Sequence, residues 1–184
     1  LTVRSGTCLG AFTGFDCNSV AGGGTSGTGN LFYGCFFERQ WTDGIDLRDT
    51  LNLSITACTF WNVGNDGAAV GGAGDAISSH ETGVFTATEC RVFSGHRGPG
   101  ENVHTSGTCT WTRCFVEANS TTSGTRIFAM NAAGRLDVTN CVILLTGTTT
   151  RYGFLCGSSG TLNTYNNTFL STSTGGGVVP LLCS

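Results

Sequence analysis

The chain predicts an all-β fold: a single-stranded parallel β-helix, or solenoid, of about six or seven coils with three short strands per coil. The first observation behind this is a repeat at 23- to 32-residue spacing: Tyr33-Gly34-Cys35-Phe36-Phe37, Thr56-Ala57-Cys58-Thr59-Phe60, Thr88-Glu89-Cys90-Arg91-Val92, Thr112-Arg113-Cys114-Phe115-Val116, Thr139-Asn140-Cys141-Val142-Ile143 and Tyr165-Asn166-Asn167-Thr168-Phe169. Units this short cannot bury an apolar side alone and must stack. The second is apolar periodicity aligned to that repeat, and the third is composition: 29 Gly against 2 Pro suits many tight corners.

In chain order, residues 1–29 read as an N-terminal cap or incomplete first coil, ending in the Gly/Ser/Thr stretch from Ala21 to Gly29, and residues 30–184 as the solenoid. Within each coil, one strand ends just before the Cys/Asn position. Five residues before it stand Leu53, Phe85, Cys109, Leu136 and Leu162, and three before it Phe32, Ile55, Ala87, Trp111, Val138 and Thr164, a period of two with one buried face. The chain bends at the Cys/Asn, because Phe37, Phe60, Val92, Val116, Ile143 and Phe169 lie two residues beyond it in shifted parity and start the next strand. Counting back thirteen gives Ile45, Ile77, Phe128 and Phe154, a further strand; in the remaining coil Val103 is assigned to this column, which makes that coil two residues shorter. Coil length therefore varies between these strands, and the longest insertion, Trp61 to Gly74, falls beside the strand that carries Ile45.

This pattern resembles the right-handed parallel β-helix superfamily typified by pectate lyases and bacteriophage tailspikes, over roughly residues 28 to 184. In that family the bend often carries a stacked asparagine ladder, which Asn167 keeps and Cys35, Cys58, Cys90, Cys114 and Cys141 replace with another small residue. The resemblance implies right-handed coiling and a substrate face on the strands of the Ile45 column; it is specific for architecture and nearly silent on chemistry.

A solenoid of 184 residues is one domain with a sizeable apolar column. No apolar run reaches eighteen residues, so no transmembrane helix is expected. The absence of an initiator Met and of a basic, apolar leader suggests a processed chain or a fragment. A net charge of −3 and an isoelectric point near 5.5 argue against nucleic acid as a partner. Of ten cysteines, five share the ladder column, where coils stack about 4.8 Å apart with parallel Cβ vectors; that direction favours free buried thiols over disulfides. Cys8 and Cys17 remain a possible pair. The closest cysteine spacing among the rest, Cys109 with Cys114, is not that of a zinc site, and no metal or cofactor motif is present.

If Ile45, Ile77, Val103, Phe128 and Phe154 point inward, the residues one and three beyond them point outward. Asp46, Arg48, Ser78, His80 and His104 then share one surface, with Asp43 and Asp75 at its edge. A carboxylate beside imidazoles can act as an acid/base pair, and an arginine can hold an acidic sugar carboxylate through two hydrogen bonds. Thr42-Asp43-Gly44-Ile45-Asp46, Asn65-Asp66, Gly95-His96-Arg97 and Arg126-Ile127 also resemble, in degenerate form, the polygalacturonase motif series. Coil register opposes that reading, since Asp75 rather than Asp66 falls one rung after Asp43. On later coils Ile127, Ala129 and Leu155 make an apolar outer stripe that reads as an oligomer interface. The favoured expectation is a structural or glycan-binding protein of a virion or cell surface, homo-oligomeric as in the trimers of phage appendages, with polysaccharide as a further partner. A polysaccharide lyase or glycoside hydrolase using Asp46, His80, His104 and Arg48 is the alternative.

Overall fold

The computed structural model describes residues 2–10, 14–17, 30–40, 42–47, 52–63, 75–81, 84–95, 98–104, 107–118, 125–130, 133–146, 151–156, 159–172 and 178–183. The side chains of residues 16, 17, 80, 81, 94–104, 125, 126, 129, 151, 152, 155 and 178–183 fall outside what it describes. Its strands form three parallel sheets of seven, every coil giving one strand to each, in a right-handed-type β-solenoid. Sheet A holds Thr2–Arg4, Asn30–Tyr33, Asn52–Thr56, Val84–Thr88, Thr108–Thr112, Arg135–Thr139 and Thr161–Tyr165. Sheet B holds Thr7–Leu9, Phe36–Glu38, Thr59–Trp61, Arg91–Gly95, Phe115–Ala118, Val142–Leu145 and Thr168–Ser171. Sheet C holds Phe15–Cys17, Ile45–Leu47, Asp75–Glu81, Gly98–His104, Thr125–Met130, Arg151–Cys156 and Val178–Cys183. In the N-terminal stretch Thr2–Arg4, Thr7–Leu9 and Phe15–Cys17 supply a strand to each of the three sheets.

The inward residues of the three sheets meet in one apolar column, and burying it is what stacking achieves. Aromatic rings fill much of it. Phe37 lies flat on Phe60 with centroids 4.9 Å apart, Trp111 packs edge-on to both Phe85 and Phe128, and Phe128 stacks on Phe154 at 5.5 Å.

The corner between sheets A and B takes two residues. The first is left-handed in every coil: Ser5, Gly34, Ala57, Glu89, Arg113, Asn140 and Asn166 have φ between 52° and 62°. Only glycine and, less readily, asparagine adopt this without strain, so Ala57, Glu89 and Arg113 are held there by the stack. The second is the ladder residue. Cys141 N–H donates to Asn167 Oδ1 at 2.9 Å, while Asn167 Nδ2 donates to Val138 O at 2.8 Å, on the coil before. The cysteines copy both bonds with sulfur. Cys35 and Cys114 N–H donate to Cys58 and Cys141 Sγ at 3.4 Å, and the thiols of Cys35, Cys90 and Cys114 donate to the carbonyls of Val3, Ile55 and Ala87 at 3.4 to 3.6 Å. Cysteine can replace asparagine here because it is small, apolar enough for burial, and both a weak donor and a weak acceptor.

Among the described cysteines none is in a disulfide, Cys8 included; its thiol donates to Gly14 O at 3.4 Å. Cys17 lies outside the described side chains. Hydrogen bonds from Cys90 and Cys141 draw the Cys58 and Cys114 thiols down; hydrogen bonds with Cys114 and then Cys58, with burial, push Cys90 up, and the one with Cys114, with burial, pushes Cys141 up. Cys109, away from the ladder in sheet A, is pushed up to about 12 by burial.

Candidate functional site at the corner of sheets A and B

Sheet C, where the sequence places the site, differs from expectation in register and in access. Gly100, not Val103, pairs with Ile77 and Phe128, so the interval from this rung to the ladder is one residue longer than for Ile45, Ile77, Phe128 and Phe154 rather than two shorter. The residue beside Ser78 is therefore Glu101, while Val103 pairs with His80 and His104 with Glu81. His104 thus leaves the rung position that was to bring it beside Asp46. The miss is physical: a glycine in a strand occupies an inward rung without an apolar side chain to announce it.

Asp46 is 6% exposed and Ser78 3%, although both face away from the core column, so this part of the outer face is closed to solvent. Asp75 is equally buried. Asp43 Oδ1 accepts a hydrogen bond from the Asp75 backbone N–H at 2.7 Å, which ties the two coils together and spends that carboxylate on structure. The rung relation between Asp43 and Asp75 holds as read from sequence; Asp66 and Arg48 lie outside the described residues. His80 is in its strand, with its side chain outside the described set.

Ile127 also departs from expectation, being fully buried rather than outward. It stands one residue before the Ile45–Ile77–Phe128 column, inside Thr125–Met130, and both it and Phe128 are fully buried. Glycine at the same rung position shows how tight the packing is there: a Cβ on Gly44 would lie 2.7 Å from both the Ala76 carbonyl oxygen and the Phe60 ring. Ile127 consequently drops out of any surface interface. Ala129 and Leu155 pair with each other in the Asp46–Ser78 column, their side chains being outside the described set.

Open, chemically varied surface lies instead over the ladder. A groove of about 590 Å³ crosses the corner between sheets A and B, bordered by Thr59, Glu89, Arg91, Arg113, Phe115 and Asn140. Register explains its composition. Residues one and three beyond each ladder position must point out of sheet B just as those two beyond point in, giving the columns Thr59–Arg91–Phe115–Val142 and Glu38–Trp61–Phe93. Trp61 is 46% exposed, its ring 5.3 Å from that of Phe93, which lies 5.4 Å from Phe115. Three aromatic rings thus form a continuous stripe along the solenoid axis, and the Arg91 guanidinium beside them is exposed.

On the other lip, Arg113 Nη2 and Nε lie 3.0 and 3.1 Å from Glu89 Oε1. Asn166 Nδ2 donates to Asn140 Oδ1 one coil further on, a pairing that continues the polar column. The sequence was read for outward positions on the Ile45 column alone; the inward columns of sheet B, offset by one, contain the stripe. Among the described residues no cluster of three or more His, Cys, Asp or Glu side chains is placed to hold a metal ion. Chemically the corner offers flat apolar rings beside planar cationic and amide groups. No family model matches the chain, nor does any curated protein or solved structure.

Proposed function

We propose that the chain is a non-catalytic, glycan-binding β-solenoid that holds polysaccharide along the corner between sheets A and B. The observation that carries this reading is the Trp61–Phe93–Phe115 stripe next to the Arg91 and Glu89–Arg113 groove. Pyranose rings present C–H groups to aromatic faces and hydroxyls to planar donors and acceptors; tryptophan supplies large rigid contact area at small entropic cost, and arginine a planar fork of donors. Coils about 4.8 Å apart repeat on nearly the length of one sugar unit, so an extended chain meets like groups on successive rungs. Closure of the sheet C face around Asp46 and Ser78, and the engagement of Asp43 by Asp75, weigh against hydrolase or lyase chemistry there. A virion appendage or cell-surface setting, as a homo-oligomer, fits the resemblance of the coil pattern to phage tailspikes.

Titration of the full chain with polygalacturonate, alginate and a neutral mannan tests the proposal. At least one polymer is expected to bind saturably without release of reducing or unsaturated ends, and Trp61→Ala, whose side chain is half exposed, to weaken that binding by on the order of tenfold with an unchanged melting temperature. Lack of binding to all three, or equal binding by the variant, overturns it.

A further inference from the structure

Sheet A carries another kind of repetition on its outer face. Register sets Ser54-Ile55-Thr56 beside Thr86-Ala87-Thr88 and that beside Thr110-Trp111-Thr112, and Thr139 continues the last column. Ile55, Ala87 and Trp111 are fully buried, so the hydroxyl residues between them occupy the outward positions. Asn52, Val84 and Thr108 add a third column. The result is a block of three strands by three outward residues with seven hydroxyls, one amide and no charge. Charge lies at its edges: Arg135 Nε contacts Asp137 Oδ1 at 2.7 Å on the next strand, and Glu89 and Arg113, paired with each other, follow Thr88 and Thr112 at the corner.

Parallel strands fix two spacings in this block, about 4.8 Å between coils and about 6.6 Å between alternate residues along a strand. Threonine is stiff at χ1, so its methyl and hydroxyl repeat as a lattice rather than as a mobile fringe. Thr112 and Thr139 Oγ1, 3.2 Å apart, show one hydroxyl column pairing along the axis. A face of this kind orders water: methyl groups hold the first layer in cages and hydroxyls anchor it, on repeats close to those of oxygen in ice. Charged groups would impose their own hydration shells, and lysine, whose ammonium is more strongly hydrated than a guanidinium, is missing from the whole sequence. From the register and exposure of these residues, we infer that the outer face of sheet A binds crystalline water and so slows the growth of ice. This inference is independent of the glycan reading, which concerns the other side of the corner.

Growing a slow ice front through a solution of the full chain, alongside serum albumin at equal concentration, tests it. The wild-type chain is expected to be enriched in the ice and to inhibit recrystallisation, whereas albumin is excluded. Thr86→Tyr with Thr110→Tyr, which breaks the flatness of the block, is expected to lose both effects at an unchanged melting temperature, while Thr168→Tyr on sheet B keeps them. Should the double variant melt early, Thr88→Lys provides the same reading with a single surface exchange. Exclusion of the wild-type chain like albumin, or retention of ice affinity by folded sheet A variants, overturns the inference.

Discussion

The corner between sheets A and B and the outer side of sheet C belong to the same coils, yet one is open and repeats its backbone at every rung while the other is closed around Asp46 and Ser78. At the corner every coil spends two residues, one left-handed and one in the ladder, so the same outward positions recur at each rung. On the sheet C side the number of residues between strands changes from coil to coil, and Asp46 and Ser78 end up buried. A fixed corner gives an extended surface of stacked like positions; a variable one gives individual local arrangements. An elongated ligand suits the former.

The comparison breaks most sharply in the core that both regions share. Trp111→Ala should destabilise the fold by about 3–5 kcal/mol, as it empties a fully buried site between Phe85 and Phe128. Phe115→Ala at the half-exposed corner should cost under about 1 kcal/mol by denaturant unfolding. Equal losses would mean that the corner ring is structural rather than available to a ligand.

Alkaline pH probes a buried thiol. The folded-state pKa of Cys109 is raised by burial from 9.0 to about 12, so its neutral form contributes stability that is full below pH 9 and is lost as pH rises toward 12. The loss should be on the order of a few kcal/mol and should shrink in Cys109→Ala, measured as the difference in unfolding free energy between pH 8 and pH 11. An identical slope in the variant would place the thiol in contact with solvent.

Within the ladder, Asn167→Ala removes the acceptor for Cys141 N–H and the donor to Val138 O, and about 1–3 kcal/mol should be lost. The smallest effect is expected from Ala57→Gly. Left-handed alanine is strained where Gly34 is not, so the exchange should stabilise by about 0.5–1 kcal/mol after the extra chain entropy of glycine is counted. A loss there would show that the corner tolerates alanine without strain.

The interior of the solenoid was legible because inward columns such as Leu53–Phe85–Cys109–Leu136 repeat at constant distance from the ladder and alternate strictly with polar residues. Gly100 broke the reading, since a rung without a side chain leaves no apolar mark, and His104 was misplaced in consequence. Ile127 failed for a different reason: it and Phe128 are consecutive in Thr125–Met130 and both fully buried, so strict alternation breaks there. The left-handed column was half visible in Gly34, Asn140 and Asn166 and hidden in Glu89 and Arg113, which only the stack forces into that conformation. Trp61, Phe93 and Phe115 were in plain view at outward offsets, but outward apolar residues carry no periodic demand from folding and so call for a functional reason instead.

Mapping backbone amide shifts while the tightest-binding polysaccharide is added tests the central claim most directly. The account predicts that the largest changes fall on Thr59, Trp61, Arg91, Phe93, Arg113 and Phe115, along the corner of sheets A and B. Changes centred on Asp46, Ser78 and His80 would place the glycan on sheet C and contradict it.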